Sequence, residues 1–240
     1  MRKVLSIMLM LACVATVSAQ SKWSYKLGFG GELKSGNVNT ITFNNNGGIE
    51  RNDSLLAFDA NYAIVYGEKD HEKYDMGLTA NVKFDLWQYD RWSPFLSATY
   101  LNNKFKGFEY KYSFLAGVKY RIYWNSKCDY SISGAYVLDY TEYFLKDRAN
   151  FDANVSRLSL RLKIKQNITD YVSLKHTTFY QPSFKDFGGD YIVNSVTSIS
   201  TKLNKNMDLA LNFSYEYRSL VPEGVKNQDI ITSATLNLHF

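Results

Sequence analysis

Apolar and polar residues alternate with a period of two from Trp23 to the end of the chain. In the first segment, aromatic and aliphatic residues take the odd positions, while Ser, Gly and charged residues take the even ones. Segments 73–86 and 109–122 repeat this division, and no charge falls on the apolar phase of either. Successive side chains of a strand point to opposite faces. The pattern therefore predicts strands with one apolar and one polar face, and it excludes a mainly helical fold.

Turn signals divide the chain into twelve predicted strands. They lie near 23–34, 40–51, 55–66, 73–86, 92–102, 109–122, 128–140, 154–165, 170–181, 190–203, 207–218 and 228–240. Each reaches the roughly nine to eleven residues that a tilted strand needs to cross a bilayer. Because an open sheet edge cannot be satisfied by lipid, the first and last strands should pair. We predict an all-β fold, a transmembrane antiparallel up-and-down β-barrel of about twelve strands, with its tight turns on the periplasmic side.

Residues 1–19 are typical of a secretory signal peptide. Arg2 and Lys3 precede an apolar run, and Ser18 and Ala19 supply the small residues of a cleavage site. The run is shorter than the roughly twenty apolar residues of a membrane-spanning helix. We therefore predict a signal peptide over 1–19 and a barrel over 20–240. Cys128 is then the one cysteine left, so no internal disulfide is expected.

A water-soluble sandwich or lipocalin-like barrel would also alternate, so other features must decide between water and lipid. The signal peptide favours a membrane, and so do the Trp and Tyr residues placed at strand ends. The third feature is the C-terminus, where Leu236, Leu238 and Phe240 resemble the signal read by the barrel assembly machinery. We predict insertion into the outer membrane of a Gram-negative bacterium, with outer-membrane lipid and the barrel assembly machinery as partners.

Composition narrows the classes of function. The formal net charge of +5 includes Arg2 and Lys3, and no basic block occurs, so a nucleic-acid partner is not expected. Phosphate-binding glycine loops, paired-cysteine metal spacing and nucleophile elbows are absent from the sequence. We therefore expect no cofactor, no metal ion and no enzymatic activity.

Residues 31–40, which read GELKSGNVNT directly after an aromatic first strand, resemble the start of the family of salt-induced outer-membrane proteins. That family is itself a domain of unknown function. Gly36 and Asn37 suit the tight turn there because both tolerate positive φ. The resemblance implies a barrel, an outer-membrane location and a link to salt or envelope stress. It implies no catalytic residue.

Charged residues on the polar face are the candidates for a lumen. They are Glu32, Asp75, Lys83, Glu109, Arg121, Arg157, Arg161, Lys163 and Lys175. Two interpretations stay open. The lumen could form a narrow, porin-like channel for small solutes or ions, in which Arg157, Arg161, Lys163 and Lys165 favour anions. Alternatively, mutually paired charges could fill it, leaving a barrel that only supports the envelope.

Two further hypotheses come from other classes. His176 and Thr178 share the apolar face of one strand, as in an outer-membrane lipid hydrolase, and His71 lies beside acidic residues as in a protease pair. A surface-binding protein would instead use the aromatic loops Phe144–Phe151 and Phe184–Tyr191.

Overall fold

Strands make up nearly all of the chain that the structure describes. The computed structural model describes residues 23–35, 40–69, 72–103, 108–143, 151–221 and 226–239. The strands are β1 (Trp23–Ser35), β2 (Thr40–Arg51), β3 (Leu56–Lys69), β4 (Glu72–Leu86), β5 (Trp92–Asn103), β6 (Phe108–Trp124), β7 (Cys128–Tyr143), β8 (Phe151–Asn167), β9 (Val172–Pro182), β10 (Tyr191–Lys202), β11 (Met207–Arg218) and β12 (Gln228–His239). The predicted signal peptide lies outside the described residues. Within those residues, no helix is long and apolar enough to cross a membrane.

The sheet closes on itself. Each strand pairs antiparallel with the next, and β1 pairs with β12 in a register that runs from Lys26 opposite His239 to Ser35 opposite Ile230. Closure gives both edge strands a hydrogen-bonded neighbour, as a sheet surrounded by lipid requires. The predicted antiparallel barrel of twelve strands is confirmed.

Register shifts are confined to the ends of strands. They fall at Gly67/Glu68, Leu101/Asn103, Phe108/Tyr110 and Arg121/Tyr123. Because the middle of every pairing is regular, one set of alternate residues faces inward all around the barrel. The β8 strand is longer than the predicted 154–165, since its pairing with β7 continues to Phe151 opposite Tyr143.

The outward face carries the large apolar side chains. Phe43 is 75% exposed, and Phe29, Phe114 and Leu211 are about half exposed. Thr42, Ser131 and Ser159, which belong to the inward phase, are buried. A soluble barrel would show the reverse arrangement, with apolar side chains inside. The surroundings of this barrel are therefore apolar.

Aromatic rings form rows near both ends of the barrel. The end with the connections 52–55, 87–91, 125–127, 168–171 and 203–206 is called the short-turn end, and the opposite end the loop end. Ring centroids lie 5.8 Å apart for Trp23 and Phe58 and 4.6 Å apart for Trp92 and Tyr120 at the short-turn end. At the loop end Tyr191 lies 5.7 Å from Tyr180 and 5.9 Å from Tyr217. Such rows mark the two interfaces of a membrane barrel.

Candidate functional site

Side chains of three strands, β4, β5 and β8, meet inside the barrel. The guanidinium carbon of Arg161 on β8 lies 5.6 Å from the ring centroid of Phe95 on β5. The Lys83 Nζ on β4 lies 5.2 Å from the same centroid. Lys83 and Phe95 lie on neighbouring strands, whereas β8 is separated from β5 by β6 and β7, so the Arg161 side chain spans part of the interior. Both distances fall within the range of cation–π attraction.

At the loop end, the interior charges are paired. Asp139 accepts hydrogen bonds from Lys111 Nζ at 2.8 Å and from Ser113 Oγ at 2.5 Å. Arg157 Nε lies 3.8 Å from Asp139, and Arg157 Nη2 donates to both carboxylate oxygens of Asp190 at 2.9 and 3.0 Å. Arg157 and Asp139 are each only 8% exposed. Two cations face two carboxylates, so this network, here called the loop-end network, has no net charge.

A second pair lies near the short-turn end. Arg121 donates to both oxygens of Asp129, from Nε at 3.2 Å and from Nη2 at 3.0 Å. Arg121 also donates to the carbonyl oxygen of Tyr89 at 2.9 Å and stacks over the Trp124 ring at 5.0 Å. The fork geometry fixes the guanidinium against the wall.

From the middle of the barrel to the short-turn end, β8 and β9 carry cations that form no ion pair with a described carboxylate; Lys165 stands opposite Asp129, which is paired with Arg121. Arg161, Lys163 and Lys165 lie on β8, and Lys175 on β9 stands directly opposite Lys165. Within the part of the chain that the structure describes, none of the four has a carboxylate oxygen within 4.0 Å. We call these four residues the cation row. It extends from the middle of the barrel towards the short-turn end.

Among the described residues, the four cations of the row together with Lys26 and Lys83 outnumber the four carboxylates that act on them, which are Glu50, Asp59, Asp85 and Asp129. Those that act on Lys163 are Lys175, Arg161, Lys83 and Asp129, three cations and one carboxylate. Lys175 is influenced by Lys26 and Lys165 and by two carboxylates, Glu50 and Asp59. The potential in this part of the interior is therefore positive.

A cavity of about 410 Å³ lies on the loop-end side of the cation row. Its walls come from eight strands, β4 to β11. Lys83, Phe95 and Arg161 line it together with Phe179 and many hydroxyl and amide side chains. The interior thus contains free space rather than a continuous packing of side chains.

Most of the predicted lumen residues can be located. The register puts them on the inward face: Lys83, Arg121, Arg157, Arg161, Lys163 and Lys175. Glu109 lies at the register shift in β6. Glu32 and Asp75 belong to β1 and β4, but their side chains lie outside the described residues. Arg157 joins the loop-end network, which separates it from the other cations of the predicted ladder.

Sequence reasoning missed Phe95 and Asp190. Phe95 stands on the polar phase of β5 between Ser93 and Ser97, and this break in the alternation was the available signal. Asp190 comes from the 183–190 connection, and no sequence pattern ties it to Arg157.

Two residues of the predicted assembly signal, Leu236 and Leu238, lie on the outward face of β12. Leu236 is opposite Phe29 and Leu238 is opposite Leu27 in the closing pair of strands. Phe240 lies outside the described residues.

A hydrogen-bonded cluster lies on the outward face of β9 and β10. His176 Nδ1 is 2.9 Å from Thr197 Oγ1, and His176 Nε2 is 2.9 Å from Thr178 Oγ1. Thr178 Oγ1 lies 3.1 Å from Ser195 Oγ. All four residues are half-buried. His71 of the other enzymatic hypothesis lies outside the described residues.

The two aromatic loops differ in what the structure describes. In the second loop, Phe184 is about half exposed, and its ring lies 5.6 Å from that of Tyr136 on the outer wall. Phe187 in the same loop is also about half exposed. Residues 144–150 of the first loop lie outside the described residues.

Comparison with known proteins assigns the chain to a family. The family described as "Protein of unknown function, DUF481" matches residues 27–240. The chain belongs to this family. A comparison with curated proteins gives no match. The family has no stated function, so the link to salt implied by the sequence resemblance stays a prediction.

Solved structures show what the family member is similar to in fold. The match to the NanC porin covers 88% of this chain and 98% of the porin chain, with 10% sequence identity and a TM-score of 0.61. The match to the translocator domain of the autotransporter NalP from Neisseria meningitidis covers 100% of this chain and 96% of that domain, with 8% sequence identity and a TM-score of 0.59. The KdgM porin covers 90% and 99%, with 9% identity and a TM-score of 0.52. At these identities, the similarity establishes the barrel fold.

Proposed function

We propose that this family member is an outer-membrane channel that passes small anionic solutes in preference to cations. The observation that carries the proposal is the cation row, whose four side chains have no carboxylate partner among the described residues. Charged side chains that ring a narrow pore set its ion preference. Porins are among the solved structures with a similar fold, which supports a channel over a filled barrel.

The arrangement of charges explains the expected direction of the preference. The loop-end network is neutral, so it neither attracts nor repels an entering ion strongly. Below it, Lys163 has three cations and one carboxylate as its electrostatic neighbours. Low-dielectric walls weaken the screening of such charges, so their field reaches across a narrow lumen. Anions should therefore be concentrated there and cations depleted.

Location in the outer membrane belongs to the same proposal. Three observations support it, namely the outward apolar face, the aromatic rows at both ends and the similarity in fold to porins. Three predictions from the sequence belong to this proposal. They are a signal peptide over 1–19, insertion by the barrel assembly machinery and contact with outer-membrane lipid. Fractionation of envelopes tests the location, and recovery in the inner membrane would contradict it.

Ion selectivity in planar bilayers tests the channel. Refolded protein should give a reversal potential in a KCl gradient whose sign corresponds to chloride preference. Lys163→Gln should reduce that preference, because it removes the cation most closely surrounded by other cations. Lys127→Gln is the matched control, since Lys127 is an exposed residue in the 125–127 turn outside the lumen. Equal effects of the two substitutions would show that the cation row does not set the preference.

The link to osmotic or envelope stress is part of the proposal as well. A solute channel changes the permeability of the envelope, so its amount should respond to external salt. Immunoblots of cells before and after a salt shift measure this, and an unchanged level would remove the link. A barrel that only supports the envelope would instead give no current from protein whose folding has been verified.

A lipid hydrolase is the second candidate, and the His176 cluster is the observation that favours it. The hydroxyl of Thr178 contacts one imidazole nitrogen and Thr197 holds the other, the arrangement of a nucleophile, a base and an orienting group. Thr197 is uncharged, so it stabilises an imidazolium less than a carboxylate would. Phospholipid hydrolysis by the refolded protein, lost in His176→Ala, would support this candidate. Absence of hydrolysis would remove it.

A further inference from the structure

The cavity next to the cation row has walls and a floor of different chemistry. Its walls are mixed, with hydroxyl and amide groups from Ser97, Thr99, Ser159, Asn81 and Gln181 lying among apolar side chains such as Leu115, Val137 and Ile192. Its floor, towards the short-turn end, is formed by Lys83, Phe95 and Arg161. A volume of about 410 Å³ lies within the usual size range of small-molecule sites. Walls that combine hydroxyl and amide groups with apolar surface suit a sugar ring, which has hydroxyls at its rim and C–H groups on its faces.

Phe95 holds the two floor cations in place. Its side chain is 7% exposed, and the charged groups of Lys83 and Arg161 lie over its ring at 5.2 and 5.6 Å. Arg161 comes from β8, whereas Lys83 and Phe95 come from β4 and β5. The guanidinium of Arg161 therefore reaches through the interior past β7 and β6 to a ring on β5. Without the ring, this long side chain would have no described partner to fix its position.

The charge of the floor is positive. Lys83 pairs with Asp85, but Arg161 has no carboxylate within 4.0 Å among the described residues. Its guanidinium donates no hydrogen bond to any described residue, and its Nε is also buried. Buried N–H groups of this kind are normally bonded, and a carboxylate is the strongest acceptor that a guanidinium takes. The floor thus offers a donor for an anionic group, while the walls offer groups for hydroxyls.

We propose that this cavity binds one sugar-sized solute that carries a carboxylate, with the carboxylate on Arg161 and Lys83 and the hydroxyls on the walls. Phe95 is a positioning residue for both cations. The proposal rests on the proposed function, since it names the solute class and the binding site within the anion-preferring lumen. A solute held there lies directly above Lys163, the next residue of the cation row on β8.

Three probes separate the parts of the proposal. Galacturonate carries both a carboxylate and hydroxyls, glucose carries hydroxyls alone and acetate a carboxylate alone. Galacturonate should reduce the single-channel current in a saturable way, at concentrations at least about tenfold lower than either of the other two, as expected if each part contributes about one hydrogen-bonded group. If acetate acts as well as galacturonate, the walls do not bind hydroxyls and the sugar part of the proposal fails.

Variants locate the site. Arg161→Gln should raise the blocking concentration of galacturonate about tenfold or more, the loss expected for a charge-assisted hydrogen bond. Phe95→Leu should also raise the blocking concentration of galacturonate, because the two cations lose their fixed position. The chloride preference should persist, because both cations remain. Lys127→Gln serves as the control and should change neither quantity. If galacturonate blocks the Arg161→Gln variant at the same concentration as the wild type, the binding site is elsewhere.

Calorimetry makes the binding site testable without conduction. Galacturonate is titrated into refolded protein in detergent, after folding has been verified by heat-modifiable migration on gels. Saturable binding that is lost in Arg161→Gln supports the site even if no current is found, in which case the proposed channel fails alone. Absence of binding in a protein that does conduct chloride overturns the binding site and leaves the channel standing.

Discussion

Replacement of Arg157 by Gln should destabilise the barrel by about 2–4 kcal/mol. The change removes the charge-assisted bonds to Asp190 at 2.9 and 3.0 Å and leaves that carboxylate without its cation. Asp139 would keep Lys111 at 2.8 Å and Ser113, so the loss falls mainly on Asp190. The Asp190 side chain is 18% exposed, so part of the loss is recovered through hydration.

Reversible urea unfolding in lipid vesicles, followed by tryptophan fluorescence, measures this free energy. Arg51→Gln is the matched control, because Arg51 lies 3.7 Å from Asp53 with its side chain 46% exposed. An exposed pair of that kind contributes at most about 1 kcal/mol. Equal losses of unfolding free energy in the two variants would refute the view that the loop-end network is a desolvated, stabilising cluster.

Two other substitutions test the packing and the assembly of the barrel. A Cβ at Gly117 would lie 2.4 Å from the Gly134 carbonyl oxygen, so Gly117→Ala should cost about 1–3 kcal/mol of unfolding free energy. A Cβ at Gly134 would meet no atom closer than 3.9 Å, so Gly134→Ala should be neutral or slightly stabilising. Urea unfolding measures both variants, and a Gly134→Ala variant less stable than Gly117→Ala would contradict this packing. Phe240→Ser should lower the amount of barrel in the outer membrane, measured by immunoblot of envelope fractions, if the C-terminal residue is read during assembly. A normal amount of that variant would count against the assembly signal.

The strands could be predicted because the alternation that defines them is local. Each strand shows its two faces within its own dozen residues, and the observed bounds of β1, β2 and β11 agree with the predicted ones to within a residue. Extra length in β8 could not be predicted in this way. Phe151 and Asp152 show no alternation that would distinguish a strand from a loop. They belong to β8 because they pair with Tyr143 and Glu142 of β7.

The sequence could not predict which interior charges form ion pairs and which do not. Arg157 and Arg161 are four residues apart on the same face of β8 and look equivalent in the pattern. Arg157 is neutralised by Asp190, which lies 33 residues further along the chain and is brought back by the 183–190 connection. Arg161 instead reaches Phe95 on β5, three strands away around the barrel. Both outcomes depend on contacts between distant segments, which a periodic pattern does not encode.

A charge reversal within the cation row tests whether this row makes the lumen prefer anions. The measurement is the reversal potential in a KCl gradient for the double variant Lys163→Glu, Lys165→Glu, compared with the wild type. We expect chloride preference in the wild type and a reversal potential of opposite sign in the double variant. The same reversal potential in both proteins, or cation preference in the wild type, would contradict it.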